Sequence, residues 1–153
     1  MPDHLTPQQR SRAMKRVKLK NGSLEKLVQN ELRARGLQFK RHVRALPGRP
    51  DIVFADQKLA VFVDGDFWHG WRLPAWEHKL SPFWRNKLRA NRQRDRRNFR
   101  KLRSLGWKVV RIWQHEVKRD LEACMARVEA ALRTKPGADR PGFHKTSRCF
   151  LNV

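Results

Sequence analysis

Leu59-Ala-Val-Phe-Val-Asp-Gly-Asp-Phe-Trp-His-Gly70 opens with five apolar residues in a row, the pattern of a strand buried on both faces. That strand runs into Asp64, where Gly65 permits a sharp turn. Beyond it come a second carboxylate, Asp66, two large aromatics, Phe67 and Trp68, and His69. Upstream, Leu46-Pro-Gly-Arg-Pro-Asp51 leads into a second apolar strand, Ile52 to Phe54. The link Ala55-Asp-Gln-Lys58 is short enough for an antiparallel hairpin, which would bring Asp51 beside Asp64. Taken singly, an aspartate at a strand end is a turn residue. Two of them at one sheet edge, followed by Phe-Trp-His, make a hard-oxygen site for a divalent metal, usually magnesium.

The 153 residues fit one domain with a real core. Lys and Arg total 36 against 14 acids, a net charge of +22 that opposes compaction and calls for a polyanionic partner. Nucleic acid is the first choice. A membrane surface is the lesser one, because no long basic helix carries an uninterrupted apolar face. Apolar runs are too short to span a bilayer. The N-terminus, Met-Pro-Asp-His, lacks a signal peptide's apolar region, so a cytoplasmic location is expected. Cys124 and Cys149 have no metal-ligand spacing, and Cys124 suits the core face of a helix.

Residues 1–22 read as a basic arm, with a short helix from Gln8 to Val17 started by Thr6-Pro7 and an end at Asn21-Gly22. Ser23 is expected to cap a second helix bearing Leu24, Leu27, Val28 and Leu32 inward, with Gly36 as its stop. Glu25 would then lie in a first turn, where a carboxylate favours the helix dipole. Residues 37–43 alternate as a half-exposed strand, and 70–81 have loop composition. Ser81-Pro82 opens a long helix to about Leu105, with Phe83, Leu88, Phe99, Leu102 and Leu105 as its core stripe. Ten Lys/Arg and one acid, Asp95, lie between Arg85 and Arg103, a face suited to phosphates. Trp107 to Trp113 is a further strand, and Asp120 caps a last helix.

Pro50-Asp51, the Asp64-Gly-x-Phe-Trp-His69 turn, Phe83-Trp84, Arg94-Asp-Arg-Arg97 and Leu105-Gly-Trp107 resemble the very-short-patch-repair (Vsr) mismatch endonucleases. The likeness runs from Arg10-Ser-x-x-Met14 to about residue 133. It implies a restriction-endonuclease-like α/β fold, a small mixed sheet flanked by helices. The Lys-Pro-Gly-Ala-Asp-Arg-Pro-Gly composition after Thr134 reads as a mobile tail, 134–153. The likeness makes 23–133 the nuclease domain and the basic arm, 1–22, a DNA-contacting one. It makes Asp51 the metal-binding catalytic carboxylate, with the Val63 carbonyl as a second ligand. Glu25 contacts metal-bound water, His69 is the general base, and Asp64 stands beside the metals, two magnesium ions in all. Phe67, Trp68 and Trp84 match an aromatic wedge that enters the base stack at a T·G mismatch. Arg10, Arg12, Met14, Arg49, Arg92 and Arg96 complete the expected DNA contacts. Known members hold a structural zinc near this turn; the matching positions here are Asp66, Trp71 and His115, so no zinc is expected and packing of Trp71 and Trp76 must hold the loop.

The expectation is thus a magnesium-dependent endonuclease nicking one strand beside a T·G mismatch. It would act as a monomer, on nucleoid DNA, with mismatch-repair accessory proteins as further partners. A broader restriction-like or structure-selective nuclease keeps the same fold and metal. A non-catalytic basic DNA-binding protein is a different class, against which Glu25, Asp51, Asp64 and His69 together argue.

Overall fold

In the computed structural model residues 5–135 are described, without the side chains of residues 14 and 17–21. The expected tail beyond 135, with Cys149, lies outside the described residues. Four strands form one mixed sheet: β1 (Lys40–Arg41), β2 (Ile52–Phe54), β3 (Leu59–Asp64) and β4 (Lys108–Trp113), in that spatial order. β2 and β3 make the antiparallel hairpin, with Ile52 opposite Val61, and β4 runs parallel to β3 on the other side. All six residues of β3 are buried. Its alternate side chains serve two cores. Leu59, Val61 and Val63 pack with Val28, Leu32, Met125 and Val128 of the helices on one face. Ala60 and Phe62 pack with Phe99 and Leu102 on the other. Cys124 is buried in the first of these cores, as expected.

The helices are α1 (Pro7–Ala34), α2 (Leu73–Trp76), α3 (Pro82–Ser104), α4 (Gln114–Arg119) and α5 (Leu121–Arg133). α1 corrects the expected break between two helices: it is one rod of 28 residues, about 42 Å long. Thr6 and Gln9 form a capping box at its start, and Pro7 takes the first position. Gly22 costs a helix interior only about 1 kcal/mol relative to alanine, which burial of Val28 and Leu32 outweighs, so Asn21-Gly22 does not break it. Glu25 therefore lies deep inside a helix, and the first-turn dipole reading of it does not hold.

Other expectations are also revised. Pairing in 37–43 is confined to Lys40–Arg41, because His42 turns left-handed (φ +49°) while Leu37 and Phe39 fold onto the core. The 70–81 stretch holds α2 and a 3₁₀ turn, Glu77–Lys79. Phe83 and Leu105, assigned to the core stripe of α3, are 43% and 52% exposed; the buried stripe is Leu88, Asn91, Asp95, Phe99 and Leu102. The left-handed glycine of the turn after β3 is Gly70 (φ +64°) rather than Gly65. Among the described residues no helix is long and apolar enough to cross a membrane.

Candidate active site

Asp51 reaches the sheet edge through the Leu46–Pro50 turn. Gly48 is left-handed there (φ +77°), and a Cβ on it would come within 3.1 Å of Asn98 and 3.2 Å of Phe62. This close approach, with Pro50 fully buried, seats the loop against α3. Asp51 Oδ2 accepts from the backbone N–H of Val63 at 2.7 Å, across the hairpin. A cavity of about 530 Å³ opens here, lined by Glu25, Asp51, Val63, Asp64, His69 and Asp95 and rimmed by Arg49, Arg94 and Asn98. The four expected catalytic residues thus share one cavity with Val63.

They fall into two adjoining groups. Glu25, His42 and Asp51 offer ligand atoms within 4.8 Å of one another, as do Asp64, His69 and Asp95. Asp51 and Asp64, read from the sequence as one pair of ligands, are therefore split between them. The second group is neutralised from within. Arg111 donates to Asp64 at 2.6 Å and to Asp95 at 2.7 Å. His69 Nδ1 meets Asp95 Oδ2 at 2.7 Å, and its Nε2 lies 3.3 Å from Asp64 Oδ1. Burial works against the charge of Asp95, but its bonds with His69 and Arg111 hold the carboxyl below the usual range. Burial pushes Asp64 up, while His69 and Arg111 pull the other way.

Among the described residues the first group has no arginine bonded to it, and His42 is its one basic member. Glu25 accepts from Gln29 at 2.8 Å and faces His42 Nε2 at 3.0 Å. Burial pushes the Asp51 carboxyl up to about 7. The Val63 N–H opposes this, and the nearby Glu25 and Asp64 add to it. Two carboxylates and an imidazole fit a divalent cation by donor type, and a cation there would favour the ionised form of Asp51 that burial opposes. Between the two groups, this is the one whose donors are open to it.

The raised carboxyl has a consequence for stability. Between about pH 4 and pH 7 folded Asp51 keeps a proton that the unfolded chain has lost, so stability falls as pH rises through that window. Asp51→Asn removes the effect while keeping an acceptor for Val63. In divalent-free buffer the variant should match the wild type near pH 4 and exceed it near pH 8, by at most about 4 kcal/mol. Urea unfolding at both pH values measures the gap; a gap that does not grow with pH would show Asp51 to be ionised throughout.

The turn after β3 is fastened to α3 and α4. Asn91 donates to the Trp68 carbonyl at 3.0 Å. Asp66 pairs with His115 Nδ1 at 2.7 Å, Trp71 packs on Trp113 and His115, and the Trp76 indole donates to the Trp71 carbonyl at 2.7 Å. Of the three positions that match zinc ligands in the resembled family, two thus pair with each other and the third packs on them. Phe67 is 39% exposed and meets Trp76 and Trp84 at ring distances of 5.9 and 5.6 Å. Trp84 meets Phe83 at 5.3 Å, and the Arg10 guanidinium lies 4.3 Å over Phe83. Trp68 stands apart from this run, with Lys87 Nζ 5.8 Å from its ring centre. Arg12 is exposed on α1; Met14 is in the same helix, its side chain outside the described residues. Arg49, left-handed at φ +52°, is at the cavity rim. Arg96 is exposed on α3, while Arg92 is half-buried. Arg85 and Arg89 belong to no open phosphate face: Arg85 caps the Glu77 and Leu80 carbonyls and Arg89 pairs with Glu77.

Sequence reasoning missed Asp95, Arg111 and His42 as members of the site. Two of them carry a signal. Asp95 is the single acid in a run of ten cations, and Arg111 interrupts an apolar strand, where a cation needs a partner. His42 carries none, because only its left-handed backbone turns it toward Glu25.

Comparison with known proteins gives the family. Residues 2–74 match the family described as DNA mismatch endonuclease Vsr. The type II nicking enzyme V.XorIIP of Xanthomonas oryzae pv. oryzae is 40% identical over 134 residues, covering 86% of this chain and 98% of that protein. V.NmeDIP of Neisseria meningitidis serogroup C, also a type II nicking enzyme, is 34% identical over 90% of this chain and 95% of its own length. The DNA mismatch endonuclease Vsr of Escherichia coli K12 is 34% identical over 110 residues, 69% of each chain. With the matched segment spanning α1, the β2–β3 hairpin and the turn that carries His69, the chain belongs to the Vsr DNA mismatch endonuclease family and is a DNA endonuclease.

Proposed function

We propose that this endonuclease nicks one strand of duplex DNA beside a T·G mismatch, using magnesium. The observation that carries the reading is an aromatic run, Trp76–Phe67–Trp84–Phe83, with Phe67 and Phe83 exposed, that joins the start of α3 to the turn carrying His69 into the Asp51 cavity. The names of the relatives, nicking enzymes and a mismatch endonuclease, lend it support.

The roles follow from chemistry and position. Asp51 and the Val63 carbonyl would hold the cation, on the side of the cavity where Glu25 and His42 also offer donors. When bound, a divalent ion there supplies positive charge to the phosphate under attack. His69 accepts the proton of the attacking water through Nε2. Asp95 fixes the other ring nitrogen and so the tautomer, and Asp64 with Arg111 anchors this pair. Glu25, held by Gln29 and His42, orients water at the cavity wall. Arg10 and Arg12 on the first half of α1, Met14, Arg49 and Arg96 contact the DNA. Phe67 and Trp84 and, from outside their run, Trp68 enter the stack, where unstacking costs least at a mismatch. The protein acts as a monomer on chromosomal DNA in the cytoplasm.

Trp84→Ala tests the wedge. Stacking is worth ~1–3 kcal/mol per base, so the ratio of single-turnover rates on T·G and T·A duplexes should fall roughly tenfold. Lys101→Gln, an exposed cation on the same helix, should weaken both duplexes alike. An unchanged ratio in Trp84→Ala would remove the aromatic run from mismatch recognition.

A further inference from the structure

A second cavity, of about 280 Å³, shares His69 with the catalytic one. Its walls are four arginines, Arg72, Arg92, Arg96 and Arg111, and the indoles of Trp71 and Trp113. They come from the turn after β3, from α3 and from β4, so three separate elements converge on one space. Only Arg111 is neutralised, by Asp64 and Asp95. Among the described residues no carboxylate forms an ion pair with Arg72, Arg92 or Arg96, and Glu77, an acid that acts on Arg92 from a distance, is taken by Arg89. The Arg72 guanidinium instead rests over the Trp71 ring at 5.4 Å.

The cavity is constructed around these groups rather than left over between them. Gly70 is left-handed, and a Cβ on it would come within 2.9 Å of Arg92 Cδ. The glycine thus makes room for the Arg92 stem to pass inward. Burial and repulsion from Arg96 and Arg111 push the Arg92 guanidinium down from its ordinary value. Three like charges gathered without a counter-ion are a cost to the free protein that an anion removes. Guanidinium forks match phosphate oxygens in shape as well as charge.

We propose that the Arg72–Arg92–Arg96 cavity binds a phosphate of the DNA strand adjacent to the one that is cut, and so fixes the register of the strand against His69. The proposal rests on DNA as the substrate, and it holds whether or not T·G is preferred. Since His69 lines both cavities, a phosphate in the second brings its neighbour along the strand toward the first.

The test needs no cleavage. Inorganic phosphate is titrated calorimetrically into the full chain at low salt without divalent ions. The wild type and Arg100→Gln, an exposed α3 cation outside the cavity, should bind one phosphate per chain. Arg92→Gln and Arg96→Gln should each bind it at least tenfold more weakly, with melting temperatures no lower than that of Arg100→Gln. Saturation with a short matched duplex should abolish phosphate uptake at this site. Equal affinity in Arg92→Gln and Arg100→Gln would overturn the site. Undiminished phosphate uptake by the DNA-bound protein would overturn the assignment to a strand phosphate in favour of a free ion.

Discussion

Asp51→Ala is expected to abolish strand cleavage while DNA binding persists or strengthens. The substitution removes the one carboxylate of the cavity that is fixed across the hairpin by Val63 and, among the described residues, bonded to no cationic side chain. Charge stabilisation by a divalent ion supplies several kcal/mol to phosphoryl chemistry, so losing its ligand should lower the single-turnover rate by about 10³-fold or more. Binding moves the other way, because a carboxylate facing the phosphate is gone. Rates and affinities on one duplex, measured with the same preparation, separate the two effects. Magnesium-dependent cleavage retained by Asp51→Ala would sink the assignment of the metal site.

Arg111→Met should be among the most destabilising single changes in the chain. Asp64 and Asp95 are 5% and 7% exposed, and Arg111 is bonded to both. Methionine keeps much of the packing on Trp113, whose ring lies 4.1 Å from the guanidinium, but leaves two buried carboxylates short of a partner. Removing one side of a buried pair costs about 3–5 kcal/mol. Asp95→Asn in the same chain should recover part of the loss, since one of the stranded charges is then absent. Chemical denaturation of the three variants gives the answer. A loss below about 1 kcal/mol in Arg111→Met would show that His69 alone satisfies both carboxylates.

The restriction-endonuclease-like core was legible wherever a local signal and burial agree. The apolar runs of β2 and β3, each bounded by turn residues, could be placed to the residue because nothing competes with them for the sheet interior. α3 and α5 announced themselves by Ser81-Pro82 and by Asp120, which accepts from the Ala123 N–H at 3.0 Å. The breakdown came where tertiary contacts override local preference. Asn21-Gly22 reads as a stop, yet packing of the C-terminal half of α1 carries the helix straight through it. Phe83 occupies a core-like position on α3 but faces outward beneath Arg10, and that contact depends on how α1 and α3 cross.

The site divides in the same way. Asp51, Asp64 and His69 could be found because they follow directly on the strands that place them. Asp95 and Arg111 come from α3 and β4, and only the parallel pairing of β4 with β3 brings Arg111 under Asp64. Arg92 was read as part of an open phosphate-binding face. Its turn inward depends on Gly70, a residue of another segment.

The most direct test of the account is single-turnover cleavage by the wild-type protein of two duplexes that differ at one base pair, T·G against T·A, each with magnesium and with chelator. The account predicts a single nick in one strand beside the mismatch, only with magnesium, and at least roughly tenfold faster on T·G than on T·A. Equal rates on the two duplexes, or cleavage that survives the chelator, would contradict it.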